Sequence, residues 1–166
     1  MKTVLLIRHA KSSWGDLNLP DLERPLNDRG KADAPKMAKR IFNKEINIDT
    51  FISSPAKRAK KTAEIFAERY GLKKSDVILV PELYHANDPI YFGTISNAPA
   101  KSDSIAIFSH NPGITEFANR LTETRVDNMP TCSIFAVTAD IKDWAEFEQA
   151  PKKLSFFDFP KSLDTD

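Results

Sequence analysis

The stretch VLLIRHAKSSW, residues 4–14, carries the pattern that decides the fold. Four apolar residues are followed abruptly by Arg8 and His9, and then by small and polar residues. A continuously apolar run is typical of a strand buried on both faces of a sheet. Arg8 and His9 would stand at the end of that strand, where an arginine can hold an anion and a histidine can attack one. A strand end that simply reaches solvent would show the same pattern.

The composition is that of an ordinary soluble globular protein. The chain has 166 residues, of which 41% are hydrophobic and 28% are charged, and its formal net charge is +1. We expect one domain over residues 1–160 and a polar, frayed tail over 161–166. The charge balance indicates neither a nucleic-acid nor a membrane partner. The single cysteine, Cys132, excludes an internal disulfide, and no signal peptide or membrane span is expected, which together favour the cytoplasm.

Strand-like runs alternate with helical patterns along the chain, which predicts an α/β fold. The first strands are continuously apolar and are expected to be buried, whereas 153–159 is less uniform and is expected at an edge. The predicted strands are 3–7, 49–53, 77–80, 104–109, 133–138 and 153–159. The alternation predicts a three-layer α/β/α sandwich with a mainly parallel central sheet.

Apolar residues at helical spacing predict three helices. Two are clear, at 59–70 and 114–121. The third, around residues 34–42, contains Pro35, so it is expected either to start near Asp33 or to kink at the proline.

The junction SSPAKRAKKTAE, residues 53–64, follows the second strand. Ser54 is expected to cap the next helix, with Pro55 at its first position. Arg58 then lies near the end of the first turn and leans back over the strand ends, because helical side chains tilt toward their own N-terminus. The alternative is a basic face exposed to solvent.

The junction IFSHNPGITEF, residues 107–117, repeats the design of the first one. His110 follows the fourth strand, and Asn111 is expected to cap the helix behind it. A lone histidine here would more often be structural. Since ligands of open α/β sheets bind beyond the carboxyl ends of the strands, His110 is expected at the same edge as His9.

Two histidines and two arginines at one sheet edge would form a pocket for a dianionic group. Arginine fits phosphate oxygens with a fork of N–H donors. A neutral imidazole can attack phosphorus, and nearby guanidinium charges favour the neutral form. Phosphoryl transfer needs mainly positioning and positive charge around the transferred group, so these four residues predict that chemistry.

Four blocks of the chain resemble the signature motifs of the histidine phosphatase superfamily, which is also called phosphoglycerate mutase-like. They are LIRHAKSSW, LNDRGKADA, SSPAKRAKKTAE and SHNPGI, in this order. The small size and the form RHAKSSW are similar to the SixA-type phosphohistidine phosphatases. The resemblance implies that His9 is the phosphorylated nucleophile and that Arg8, Arg58 and His110, with Ser12, bind the phosphate. It also implies a reaction without a metal or another cofactor.

The sequence departs from the family pattern at two places. Ala10 replaces the usual glycine after the nucleophile, which excludes a positive φ at low cost. In the stretch PELYHAN, His85 stands where many relatives carry a glutamate that acts as general acid, and Glu82 and Asp88 flank it. The proton donor is therefore open among these three side chains and solvent. An imidazole leaving group would have little need of a strong donor.

The resemblance favours a phosphatase that removes phosphate from phosphohistidine on a protein. Larger relatives carry insertions over the pocket, so the short segment between the third and fourth strands predicts a shallow, open site. The alternatives are a small-molecule phosphomonoesterase or mutase, and a non-catalytic phosphate-binding module. Trp14 could line the pocket mouth or pack beneath its loop. The oligomeric state is left open.

Overall fold

The computed structural model describes residues 1–162 and contains one six-stranded sheet. Its strands are β1 (Lys2–Arg8), β2 (Thr50–Ser53), β3 (Ile78–Leu79), β4 (Ser104–Ser109), β5 (Ile134–Ala139) and β6 (Lys152–Asp158). They lie in the order β3-β2-β4-β1-β5-β6. From residue 163 on, the predicted polar tail lies outside the described residues.

The sheet is mainly parallel, as predicted. The β3, β2, β4 and β1 strands run parallel to their neighbours, whereas β5 and β6 are antiparallel additions on the far side of β1. The less uniform sixth strand is at an edge, which confirms that prediction. In the part of the chain that is described, no helix is long and apolar enough to cross a membrane.

Helices cover both faces of the sheet and complete the predicted three layers. They are α1 (Asp28–Asn43), α2 (Lys57–Arg69), α3 (Asp88–Ser96) and α4 (Gly113–Leu121). Alternate residues of a strand point to opposite faces. Thus Leu5 and Ile7 of β1 pack with α1 and α2, while Val4 and Leu6 join the core formed with α3 and α4.

The first two helices begin at other residues than expected. The α1 helix starts at Asp28 rather than Asp33, because the Asn27 side chain accepts a hydrogen bond from the Gly30 amide at 2.9 Å, and the helix runs on through Pro35. The α2 helix starts at Lys57, and Ser54 does not cap it. The hydroxyl of Ser54 is used at the sheet edge instead.

The region after β2 differs most from expectation. The predicted third strand shortens to two residues, and Ile78 and Leu79 are 42% and 41% exposed, so the expectation of a buried strand is wrong here. This strand lies at the sheet edge and pairs on one side only. Helix α3 was not predicted, because its apolar residues are not confined to one face.

The strand order brings three carboxyl ends side by side. In the pairing register, Arg8 of β1 lies opposite Ser109 of β4, and Ser53 of β2 lies opposite Phe108 of β4. The residues that follow β1, β2 and β4 therefore meet at one edge of the sheet, where ligands of such folds bind.

Candidate active site

The two predicted imidazoles lie together at this edge. His9 directly follows β1 and donates its backbone N–H to the Ser109 carbonyl at 3.1 Å. His110 directly follows β4, and the centroids of the two rings are 5.2 Å apart. Both residues are buried. Because β1 and β4 are parallel neighbours that end at the same level, they bring together two side chains that are about a hundred positions apart in the sequence.

The ring of His9 is fixed in one tautomer by its own backbone. Its Nδ1 lies 2.7 Å from the Ala10 carbonyl, and a carbonyl can only accept, so Nδ1 carries the proton. The lone pair is then on Nε2. The next amide, of Ala10, donates to Thr62 Oγ1 at 3.0 Å, and the Thr62 hydroxyl donates to the Arg58 carbonyl at 2.7 Å. The segment after His9 is thereby tied to the first turns of α2.

Electrostatics keep His9 neutral. Burial lowers the pKa of His9 to about 3, and the charges of Arg58 and Arg8 act in the same direction. The hydrogen bond to the Ala10 carbonyl opposes them. A neutral imidazole with a free Nε2 lone pair is the form that attacks phosphorus.

The second imidazole, of His110, is held by Ser54. The distance from His110 Nε2 to Ser54 Oγ is 2.7 Å, and the same hydroxyl oxygen accepts a hydrogen bond from the Ala56 amide at 3.2 Å. Burial, followed by the charge of Arg58, lowers the pKa of His110 to about 3, so the ring is neutral. If Ser54 donates to Nε2, the proton of His110 is on Nδ1, which is buried and has no hydrogen-bond partner.

Both arginines are held by their ends and have the Nε side free. Arg8 donates from Nη1 to the Met129 carbonyl at 2.8 Å. Arg58 donates from Nη1 to the Asp21 carbonyl at 2.7 Å and from Nη2 to the Asp21 carboxylate at 2.9 Å. The Nε atom of each arginine is buried without a hydrogen-bond partner.

The free donors match a phosphoryl group. Among residues 1–162, five buried side-chain atoms lack a hydrogen-bond partner, and three of them are Arg8 Nε, Arg58 Nε and His110 Nδ1. Arg8 and Arg58 are close enough for their charges to lower the pKa of both imidazoles. Buried polar atoms are normally paired, so two unpaired guanidinium N–H groups and an unpaired imidazole nitrogen at this sheet edge indicate a ligand with several acceptor oxygens. With His9 Nε2 beside them, the arrangement can bind a tetrahedral oxyanion and attack its central atom.

Sequence comparison decides the family. The model of the histidine phosphatase superfamily (branch 1) matches residues 4–86. A chloroplastic protein of Arabidopsis thaliana, itself uncharacterised, is 30% identical over 153 residues, which cover 87% of this chain and 70% of that protein. This chain belongs to the histidine phosphatase superfamily.

Solved structures of low identity share the fold. The protein histidine phosphatase SixA in complex with tungstate has a TM-score of 0.82 at 21% identity, covering 98% of this chain and 99% of that one. A structure from Agrobacterium tumefaciens assigned to SixA has a TM-score of 0.80 at 22% identity, covering 96% and 98%. A mycobacterial glucosyl-3-phosphoglycerate phosphatase has a TM-score of 0.67 at 16% identity, covering 93% and 97%. These matches establish the phosphoglycerate mutase-like fold of this histidine phosphatase superfamily member.

The structure explains two residues in the superfamily motifs of this sequence, Ala10 and Gly30. Ala10, which replaces the usual glycine, does not adopt a positive φ and is fully buried, so alanine is accommodated. Gly30, in the block LNDRGKADA, lets α1 approach the segment after His9. A Cβ on Gly30 would lie 2.1 Å from the Lys11 carbonyl oxygen, and the Asn27 amide donates to that oxygen at 3.0 Å.

The predicted residues of the first loop have structural partners. The Ser12 hydroxyl accepts a hydrogen bond from Arg24 Nη1 at 2.8 Å, and its backbone forms a bridge with Leu26. Its predicted phosphate contact stays a prediction. Trp14 is 64% exposed, and the central carbon of the Arg24 guanidinium lies 3.6 Å from the centroid of its ring. Trp14 is therefore not packed beneath the loop.

The candidate proton donors separate in space. Asp88 forms an ion pair with Arg120 at 3.2 Å, and Glu82 lines a groove at the β3 edge with Val80 and Ile90. His85 is exposed and packs against Tyr84, with ring centroids 4.2 Å apart. Of the three, His85 is the one near enough to His110 for a positive charge on it to lower the pKa of His110. The described residues hold no group of three or more His, Cys, Asp or Glu side chains able to bind a metal.

Sequence reasoning missed the residues that hold the pocket in place. They are Asp21, Ser54 as a partner of His110, Thr62, Tyr84 and Met129. Ser54 and Thr62 lie with Arg58 in the block SSPAKRAKKTAE, so the sequence alone shows that they are close to Arg58 along the chain. Asp21 lies in the 3-10 turn Asp21–Glu23, and Tyr84 lies in the 3-10 turn Pro81–His85. In such short turns no periodicity indicates which way a side chain points.

Proposed function

We propose that this protein is a phosphatase that removes phosphate from phosphohistidine on proteins, through a phosphohistidine intermediate at His9. The observation that supports it most is the neutral, tautomerically fixed His9 near the unpaired nitrogens of Arg8, Arg58 and His110. Membership of the histidine phosphatase superfamily supports a phosphatase. The protein substrate and a metal-independent reaction belong to the proposal.

The first step transfers the phosphoryl group between two imidazoles. His9 Nε2 forms a bond to phosphorus, and the bond from phosphorus to the substrate nitrogen breaks. When the other ring nitrogen of the substrate carries a proton, the electron pair of the broken bond leaves on a neutral imidazole. Arg8, Arg58 and His110 donate to the three phosphoryl oxygens, whose charge they stabilise throughout the transfer.

The second step is hydrolysis of phosphorylated His9. Water attacks phosphorus, the bond to Nε2 breaks, and dihydrogen phosphate and neutral His9 result. The Ala10 carbonyl accepts a hydrogen bond from Nδ1–H throughout, so the ring needs no rearrangement between the two steps.

The distribution of carboxylates favours an imidazole leaving group over an alkoxide. An alkoxide must be protonated as it leaves, which calls for a general acid near the pocket. Asp88 is paired elsewhere and Glu82 faces another groove. Asp21 lies beside the pocket, but hydrogen bonds from Tyr84, Arg58 and Arg24 hold the pKa of its carboxyl well below the usual range, so it carries no proton to give.

The segment between β3 and β4 supports a macromolecular substrate. Residues 81–103 form the turn Pro81–His85 and helix α3, and α3 packs with α4 on one face of the sheet. We propose that so short a segment builds no cap over the pocket for a small molecule. A phosphorylated side chain that projects from a protein surface can enter such a site, and we propose that this protein binds neither nucleic acid nor membranes.

A substrate comparison tests the proposal. Purified protein is given a carrier protein phosphorylated on histidine with phosphoramidate, and separately p-nitrophenyl phosphate and 3-phosphoglycerate. We expect the highest kcat/KM on phosphohistidine and no loss of rate with EDTA. Preference for an ester by tenfold or more would favour the small-molecule phosphatase, and tungstate binding without any turnover would favour a non-catalytic module.

Trapping the intermediate tests the role of His9. Rapid acid-free quenching is expected to leave a label on the wild-type protein that is stable to base and lost in acid, as phosphohistidine is. The His9→Ala variant should carry no label and show no turnover. A label that is instead lost in base and stable in acid would indicate an acyl phosphate and remove His9 from this role.

A further inference from the structure

One carboxylate reaches the phosphate pocket from the loop that precedes α1. Asp21 begins the 3-10 turn Asp21–Glu23 and contacts Arg58 twice, through its carbonyl oxygen at 2.7 Å and through Oδ2 at 2.9 Å. The Tyr84 hydroxyl also donates to Oδ2. An anion beside an anion-binding arginine is unexpected, since it could compete with the phosphoryl group for the same donors.

The contacts leave the phosphate-binding side of Arg58 free. A guanidinium has five N–H groups, and the Nε–H and one Nη2–H form a parallel fork suited to two oxygens of a phosphate. Asp21 occupies the end of the group, one hydrogen each of Nη1 and Nη2. The Nε–H of Arg58 is buried and unpaired. Asp21 and a phosphoryl group can therefore bind the same guanidinium on different sides.

The carboxylate of Asp21 is itself held on its loop. Arg24 Nε donates to Asp21 Oδ1 at 3.0 Å, and Arg24 Nη1 donates to the Ser12 hydroxyl at 2.8 Å. The Arg24 guanidinium in turn lies on the Trp14 ring. Asp21 is thus fixed from the loop side by Arg24 and from the sheet side by Tyr84, whose ring meets the His110 ring edge-on at 5.5 Å.

We propose that Asp21, held by Tyr84, is a positioning residue that orients the Arg58 guanidinium so that its Nε–Nη2 fork faces the phosphoryl group. The inference rests on the proposed function, since it assigns a role within that pocket. Without the carboxylate, the guanidinium could rotate about its last side-chain bonds, and its fork would have to be ordered again each time an anion binds, which weakens binding.

Oxyanion binding tests this positioning without requiring turnover. Tungstate affinity is measured by calorimetry for the wild-type protein and for Asp21→Asn. We expect the dissociation constant of Asp21→Asn to rise about tenfold, the size typical of residues that orient a ligand-binding group. Asp16→Asn is the matched control, because this carboxylate is on the same loop and accepts a hydrogen bond from the Asn18 amide, away from Arg58.

A double-mutant cycle separates positioning from a general structural effect. In an Arg58→Gln background, Asp21→Asn should cause no further loss of tungstate affinity, because its target is gone. Tyr84→Phe, which keeps the ring but frees Asp21 Oδ2, should weaken tungstate binding less than Asp21→Asn and again only when Arg58 is present. Asp21→Glu should restore part of the affinity. If Asp21→Asn does not fold, Tyr84→Phe alone carries the test.

Two outcomes would overturn the positioning role. Equal or tighter tungstate binding by Asp21→Asn would show that the carboxylate competes with the anion. An equal loss with and without Arg58 would show that Asp21 acts elsewhere. Wild-type protein that binds tungstate but turns over no phosphorylated substrate would contradict the proposed function alone, and wild-type protein that binds no tungstate would contradict both.

Discussion

The two arginines of the pocket are held in different ways. Arg8 stands at the end of a central strand, and its Nη1 is fixed by a backbone carbonyl, that of Met129. Arg58 stands on the first turn of a helix and is fixed by Asp21 and, through it, by Tyr84. The strand side of the pocket thus depends on a main-chain carbonyl. The helix side also uses a main-chain carbonyl, that of Asp21, but it depends in addition on side chains from a loop and a turn.

The same division holds for the two imidazoles. His9 is fixed by the carbonyl of the next residue, whereas His110 is fixed by the Ser54 side chain. A main-chain carbonyl stays in place when the side chain of its residue is replaced. A substitution at such a residue can therefore disturb the site only by changing the local packing. A side-chain partner can be removed by one substitution. This difference predicts which changes disturb the fold and which disturb only the site.

Among the changes that test this comparison, the largest effect is expected from replacing either arginine by lysine. Lysine keeps the positive charge but has no planar fork, so it cannot reproduce two parallel N–H donors. Since removing one donor to a developing charge typically costs about 10² to 10³ in rate, we expect a loss of kcat/KM of at least about 100-fold for Arg8→Lys and for Arg58→Lys. Steady-state kinetics on a phosphohistidine protein measures it. Near-normal activity of either variant would show that charge alone suffices at that position.

The next effect tests the packing behind the strand side. In Gly30→Ala, the new Cβ would lie 2.1 Å from the Lys11 carbonyl oxygen, so α1 or the segment after His9 must move. Overpacking of this kind costs about 2 kcal/mol in the free energy of unfolding. Urea unfolding monitored by circular dichroism measures the change, and activity should fall as well because Lys11 is close to His9 in the chain.

Gly93→Ala is the control for this substitution. A Cβ on Gly93, in α3, would meet no heavy atom within 4 Å apart from its chain neighbours and the backbone of its own helix. Alanine is favoured over glycine inside a helix by up to about 1 kcal/mol, so Gly93→Ala should be neutral or stabilising. If both variants unfold at the same urea concentration as the wild type, α1 does not depend on a close approach at Gly30.

A smaller effect is expected when the partner of His110 is removed. Ser54→Ala removes the hydroxyl that holds the His110 ring through a hydrogen bond, and we expect kcat/KM to fall about tenfold, as for other residues that orient a functional imidazole. Ser53→Ala is the matched control, because this neighbouring buried hydroxyl donates to the Ser54 carbonyl instead. Equal losses in the two variants would indicate a stability effect rather than orientation of His110.

The strand side of the pocket could be predicted from the sequence because the pattern of apolar residues identifies the strands. The continuous apolar runs give the strands, and parallel neighbours bring the residues after them to one edge. Once β1 and β4 are adjacent, His9 and His110 must lie close together. The family resemblance added the roles of these residues, which stay predictions until activity is measured.

On the helix side the sequence predicts Arg58 in the first turn of α2, but not the residues that hold it, because their positions depend on loops. Whether Asp21 reaches Arg58 depends on the path of the loop between β1 and α1, for which the sequence pattern contains no period. Ser54 has the composition of a helix cap, yet the helix starts at Lys57 and the hydroxyl bonds to His110. The preference of serine for a helix cap is overridden at this position, because the buried imidazole of His110 needs a hydrogen-bond partner.

The smallest expected change is in the protonation of the two imidazoles between pH 7 and pH 5. Burial holds the pKa of His9 and of His110 at about 3, so both rings should stay neutral, with the His9 proton on Nδ1. Long-range ¹H–¹⁵N spectra of the imidazoles measure this directly. A His9 signal that titrates near pH 6.5 would mean that the ring is solvated, and the strand side of the pocket would then be no more rigid than the helix side.

The same pKa values make the fold sensitive to acid. In the unfolded chain both imidazoles titrate near pH 6.5, so below that pH the unfolded state binds more protons than the native state. Stability therefore falls as the pH drops from about 6.5 toward 3, and the urea midpoint should be lower at pH 5 than at pH 7. His110→Gln, which removes one of the two groups, should reduce this pH dependence. An unchanged dependence would show that His110 is not kept neutral by burial, and the comparison between its side-chain partner and the backbone partner of His9 would lose its basis.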